Sequence, residues 1–162
     1  MCYNRNTKDL TTHEAYMSEA MAEAEAAYRD GDVPVGAVAV REGRIIGRGH
    51  NCKEAQGDPT AHAEMITLRK AAEALGGWRL ADVTLYCTME PCPMCAGAMV
   101  LARLPHLVYA VDDPKAGAAG SVLDLLRSPR LNHQVRVTAG VLSDEAKELL
   151  ELFFRELRES RV

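Results

Sequence analysis

Short apolar runs alternate with longer stretches of helical periodicity along almost the whole chain, which limits the fold to helices layered on a sheet. Met17, Met21, Ala24 and Tyr28 recur at helical spacing in a first segment, which Thr11 and Glu14 open as a capping box and Gly31 ends. Val33–Val40 and Arg44–Gly49 flank Arg41-Glu42-Gly43 and read as a hairpin. Asp58-Pro59 reads as the N-cap and first position of a helix reaching about Leu75, with Met65, Leu68, Ala72 and Leu75 as its buried stripe. Asp82–Met89 is expected as a third strand, followed directly by a helix from Cys92 to Leu104. His106–Val111 is expected as a fourth strand, Ser121–Arg127 as a short helix and Gln134–Val141 as a fifth strand. Ser143 is placed as the cap of a last helix over Asp144–Arg158, with acids at its start and Arg155 and Arg158 near its end. The predicted order is α-β-β-α-β-α-β-α-β-α. It implies an α/β protein: a three-layer α/β/α sandwich with a five-stranded mixed sheet, in which a hairpin joins parallel, crossover-linked strands.

With 162 residues the chain suits one domain over positions 1–162, and it buries enough surface to fold without disulfides or metal. No linker, repeat or low-complexity block interrupts it. No apolar run reaches the roughly 18 residues of a membrane span. The first stretch, with Arg5, Lys8, Asp9, Glu14 and Glu19, lacks the apolar core of a secretion leader. Cys2, Cys52, Cys87, Cys92 and Cys95 form an odd set, which argues against a disulfide framework and for a reducing, cytoplasmic setting. The formal net charge of −4 argues against a general nucleic-acid coat protein. The acid excess sits mostly in the first 60 residues, however, and the last third is neutral. Lys115, Arg127, Arg130, Arg136, Arg155 and Arg158 all lie in that third, where they can form a local basic footprint.

The chemistry concentrates in two segments, His62-Ala63-Glu64 and Pro91-Cys92-Pro93-Met94-Cys95, each at the start of a predicted helix. Cys92 and Cys95 are three positions apart, so both thiolates leave one face of a first turn. Together with His62 they make three N/S ligands and leave the fourth tetrahedral position of Zn²⁺ open. Two helix N-termini aimed at one point also favour thiolates. Residues two apart do not share a helix face, so His62 and Glu64 serve one site only if the helix end points into it. A carboxylate placed there can take a proton from a water and return it to a leaving group. Other readings compete: a redox C-x-x-C pair, or a closed structural Cys₃His zinc site in which Cys87 is the fourth ligand. Against the latter, Cys87 alternates with Val83 and Leu85 on one strand face, as a core residue would.

H-x-E paired with P-C-x-x-C is the signature of zinc deaminases. On these segments, and on Asp32-Val33-Pro34-Val35-Gly36-Ala37-Val38, Gly49-His50-Asn51, the Asp113–Ser121 stretch and Phe153-Phe154-Arg155, the chain resembles the bacterial tRNA-specific adenosine deaminases of the cytidine/deoxycytidylate deaminase superfamily. The resemblance runs from about Glu14 to Arg158. It implies a cytidine deaminase-like fold and hydrolytic conversion of adenosine to inosine at wobble position 34 of a tRNA anticodon, in tRNA-Arg. It further implies one Zn²⁺ per subunit on His62, Cys92 and Cys95, with Glu64 as the proton shuttle. Asn51 would hydrogen-bond the base edge, Pro34 and Val35 would pack on its ring, and the backbone at Ala63 would touch the reacting centre. Asp112, Asp113 and Lys115 would contact the anticodon strand, and Phe153, Phe154 and Arg155 would hold neighbouring nucleotides. A homodimer built in part on the Cys92–Leu104 helix, with its small Ala96, Gly97 and Ala98, is implied as well. Ala116 departs from the Thr usual after this lysine, in the substrate-facing loop.

Two rival functions share features of the sequence. A small-molecule zinc deaminase acting on guanine or a cytosine nucleoside would use the same metal chemistry. A zinc-stabilised binding module would not need Glu64.

Overall fold

The first helix, α1 (Thr7–Arg29), owes its seat to small and flexible residues at helical spacing: Met17, Ala20, Ala24 and Ala27 are all fully buried. The computed structural model describes residues 7–161, so Cys2 and Arg5 lie outside the described residues. The helix begins at Thr7, which puts Thr11 and Glu14 inside it and not at its cap. Beyond its end, Gly31 takes the left-handed conformation expected of it, with φ 79°.

Strands β1 (Gly36–Arg41) and β2 (Arg44–His50) form the predicted hairpin. Its two-residue turn, Glu42-Gly43, has positive φ at both positions (50° and 74°), the geometry that matches strand twist in a tight hairpin. Gly36 lies so close to α1 that an added Cβ would sit 2.2 Å from the Ala20 carbonyl oxygen, and this lets helix and sheet pack backbone to backbone. Strand β3 (Thr84–Met89) pairs antiparallel with β1 and parallel with β4 (His106–Val111). Strand β5 (Arg136–Ala139) runs parallel to β4 at the far edge, giving the order β2-β1-β3-β4-β5.

The pleat of the central strands divides the core. Leu85, Cys87 and Leu107 face one side and meet Leu68, Ala71 and Met99 of α3 (Ala63–Leu75) and α4 (Pro93–Leu101). Val38, Tyr86 and Val108 face the other and meet Met17 of α1 and Ala146 of the terminal helix α5 (Ser143–Glu159). The α/β/α sandwich with a five-stranded mixed sheet is therefore the observed fold. Among the described residues no helix is long and apolar enough to cross a membrane.

Three further local expectations fail. The helix expected from Asp58-Pro59 starts at Ala63, because the Asp58 carboxylate accepts the Thr60 N–H and hydroxyl, both at 2.8 Å, and closes a local turn instead. A one-turn helix, α2 (Lys53–Gln56), occupies the space before it. No helix forms over Ser121–Arg127; residues 112–135 are an irregular connection, with Ala119 and Asp124 bridged. Ser143 is the first residue of α5, behind Leu142 at φ 54°, and its side chain makes no cap. The observed order is thus α-β-β-α-α-β-α-β-β-α.

Candidate active site

Helices α3 and α4 begin at one point. His62 is the N-cap of α3 and Cys92 the N-cap of α4, both with extended backbone, so their side chains leave the helix ends toward each other. This meets the requirement that the end of the helix, and not its side, carry His62 and Glu64. Nδ1 of His62 lies 3.6 Å from Sγ of both Cys92 and Cys95. The donor chemistry fits zinc: Zn–S and Zn–N bonds of about 2.3 and 2.05 Å at a tetrahedral angle span about 3.6 Å between ligand atoms. Cys87, fully buried, is not part of this cluster. Burial, with the neighbouring Glu64 carboxyl, pushes its thiol well above the ordinary range. The donor groups that the structure brings together are thus His62, Cys92 and Cys95, without Cys87.

The electrostatics are those of a site primed for a cation. A hydrogen bond from the Cys95 thiol, with His62 assisting, draws the Cys92 thiol far below its ordinary range. The same contact and burial hold Cys95 protonated, so a metal ion would displace the remaining proton. Hydrogen bonding to Cys92 raises His62. Burial pushes the Glu64 carboxyl above its ordinary range, as its 3% exposure demands, with His62 partly opposing.

Beside the cluster opens a cavity of about 190 Å³. Val33 and Val35 form its apolar wall, Asn51, Lys53, Glu90 and Asp113 its polar rim, and His62, Glu64, Met89 and Cys92 its floor. Of the residues expected to contact substrate, Val35, Asn51 and Asp113 line this cavity. Pro34 is buried but absent from the wall: the Val35 N–H donates to the Val33 carbonyl at 2.8 Å, a three-residue turn centred on Pro34, and Val33 and Val35 on either side line the cavity. The Ala63 N–H, expected beside the reacting centre, donates to Oδ1 of Asn51 at 2.9 Å. Asp112 accepts the Tyr109 hydroxyl at 2.8 Å and lines a separate cavity between β4, β5 and the start of α5. Lys115 is exposed on the loop beyond Asp113. Phe153, Phe154 and Arg155 do not line the site cavity. Phe153 stacks edge-on against Tyr28 and Phe154, and Phe154 is 41% exposed. In the basic set, Arg127 is engaged by Asp124 and the Ala119 carbonyl, and Arg136 by His106. Sequence reasoning missed Lys53 and Glu90. An acidic residue closing an apolar strand before Pro91 was the available signal for Glu90.

A family model for MafB19-like deaminases matches residues 11–158. The tRNA-specific adenosine deaminase of Bacillus subtilis is 49% identical over 152 residues, covering 94% of each chain. The chain belongs to the tRNA-specific adenosine deaminase family. Within that family it is 43% identical to the Streptococcus pyogenes serotype M18 member, over 90% of this chain and 92% of the relative. A solved tRNA:A34 deaminase, from work on A-to-I editing at the wobble position, superposes with a TM-score of 0.81 at 42% identity, over 84% of this deaminase and 99% of that chain. A guanine deaminase from Nitrosomonas europaea shares the fold at TM-score 0.75 and 25% identity, over 86% of this chain and 83% of its own.

Proposed function

We propose that this deaminase converts adenosine to inosine at position 34 of a tRNA anticodon, with a tRNA-Arg as substrate. The observation that carries the reading is the His62, Cys92 and Cys95 cluster with Glu64 beside it, in a chain whose relatives at 43–49% identity are tRNA-specific adenosine deaminases. Zinc, when bound by those three residues, supplies the polarisation that makes a water nucleophilic near neutral pH. Glu64 takes one proton from this water and delivers it to N1 of the purine, and then carries the water's second proton, from the oxygen now on C6, to the departing amine. The balance is water added at C6 and ammonia released. Asn51, its oxygen occupied by Ala63, presents its amide N–H to an acceptor on the base edge, and Val33 and Val35 hold the ring. Asp113 and Lys115 stand where the anticodon strand would leave the cavity, with Asp112, Phe153, Phe154 and Arg155 offered to its neighbours.

A homodimer in the cytoplasm completes this reading. Helix α4 carries no charged residue, and Leu101 at its end is 71% exposed, a face suited to a second copy. The test is incubation of the purified protein with an unmodified A34 tRNA beside free adenosine, cytidine and guanine. Inosine at position 34 is expected; turnover of a free base or nucleoside with no inosine in the tRNA would overturn it.

A further inference from the structure

Glu90 follows β3 directly and precedes the metal-ligand helix by one proline, yet its carboxylate points to neither metal ligand nor cation. It is 2% exposed, and among the described residues no cation pairs with it. Its charge is met only by dipoles of one loop. Oε2 accepts the Asp113 N–H at 2.8 Å and the Ser121 hydroxyl, while Oε1 accepts the N–H groups of Ala119 and Ser121 at 3.0 and 3.1 Å. The loop wraps the carboxylate so tightly that a Cβ on Gly117 would lie 2.3 Å from Oε2 and 2.6 Å from the Asp113 carbonyl oxygen. One further bond ties this loop to the site, from the Ala118 N–H to the Pro91 carbonyl at 2.8 Å. Within the loop, the Asp113 carboxylate accepts the N–H groups of Lys115 and Ala116 at 3.0 and 3.2 Å.

A buried carboxylate satisfied by four donors from one irregular segment is a template for that segment, since without it those donors would be left unpaired. We propose that Glu90 is a positioning residue: it folds the Asp113–Ser121 loop against the cavity rim and so presents Asp113 and Lys115 to the polynucleotide, without acting on the reacting atoms. The proposal rests on the tRNA reading above and names the device by which the site grips a strand rather than a free base. Gln at this position keeps the shape but places an amide N–H₂ against backbone donors. Ala at Gly117 disturbs the same wrap from the opposite side.

The experiment compares wild type, Glu90→Gln, Glu90→Asp, Gly117→Ala and Lys115→Ala on an A34 tRNA, with zinc content and Tm measured for each. Glu90→Gln and Gly117→Ala should each raise KM by about tenfold or more, the scale of one lost charge-assisted hydrogen bond, while leaving kcat and zinc content near wild type. Glu90→Asp should recover part of that loss. Adding Lys115→Ala to Glu90→Gln should cost less than it does alone, because both act through one contact. The slope of log affinity against log salt should become shallower in Glu90→Gln, as it does in Lys115→Ala. A fall in kcat with KM unchanged, loss of zinc, or wild-type behaviour of both Glu90→Gln and Gly117→Ala would overturn the proposal. If Glu90→Gln does not fold, Gly117→Ala alone decides between these outcomes. Failure of wild type to act on tRNA would instead count against the functional reading.

Discussion

The side-chain oxygen of Asn51 accepts the backbone N–H of Ala63 at 2.9 Å, and this one bond links the loop after β2 to the first turn of α3. It satisfies a helix-start donor in the absence of a side-chain cap from His62. It also sets the amide, so that only N–H can face the cavity. The end of the hairpin and the start of α3 are thereby one unit.

Asn51 should therefore show two separable roles. Asn51→Asp keeps an oxygen for Ala63 and loses the amide donor, so stability should change by less than about 1 kcal/mol while kcat/KM falls roughly 10- to 100-fold. Asn51→Ala orphans a buried N–H and should in addition cost about 1–3 kcal/mol in denaturant unfolding. Equal stability of the two variants would contradict the assignment.

Glu64→Gln should lower kcat by about 10³-fold or more while metal content stays at the wild-type level, since a general acid–base residue and not a ligand is removed. Quantified inosine formation and elemental analysis of the same samples check this. Retained turnover would overturn the role given to Glu64, and tRNA binding without turnover in wild type would favour a binding module.

Cys92→Ser and His62→Ala should lose bound zinc, and a chelator should inactivate wild type in a way that added Zn²⁺ reverses. Cys87→Ser should keep its metal, because Cys87 lies outside the group of candidate ligands. Metal loss from Cys87→Ser would revive the closed structural site.

A pH effect on stability comes from far outside the active site. Burial, with Arg136 and His13 adding to it, pushes His106 down to about 4. Arg136 donates to its Nδ1 at 3.0 Å, so the neutral ring donates from Nε2 to Thr138 at 2.8 Å and has no free place for a second proton. Unfolded, the ring titrates near 6.5. Above that pH neither state is protonated; below it the unfolded chain takes up a proton that the folded chain refuses. Stability should fall from about pH 6.5 toward 4, with a slope from this group of at most about 1.4 kcal/mol per pH unit. Urea unfolding of wild type and His106→Gln across this range should show a flatter profile for the variant.

How much was legible follows from the range of each interaction. The hairpin around Glu42-Gly43, the His106–Val111 strand and the helical stripe of α1 rest on period and on turn residues, which neighbouring positions carry. Asp58-Pro59 misled because a local side-chain turn competes with a helix cap for the same donors. The helix over Ser121–Arg127 failed for a different reason. The Ala119 and Ser121 N–H groups are taken by Glu90, which for Ser121 stands 31 positions earlier in the chain.

From its order alone, the chain determined the α/β layering and the ligand types, because C-x-x-C within one helical turn and a histidine two positions before a glutamate are local relations. The tertiary structure decided that the two helix ends meet and that Val33 rather than Pro34 faces the cavity. It decided also that the Ala63 N–H is spent on Asn51, and that a buried glutamate organises the loop carrying Lys115. Each of these pairs residues distant in sequence or depends on how a short turn orients its neighbours. Such contacts are set by packing and by the pairing of buried polar groups, and they leave no period along the chain.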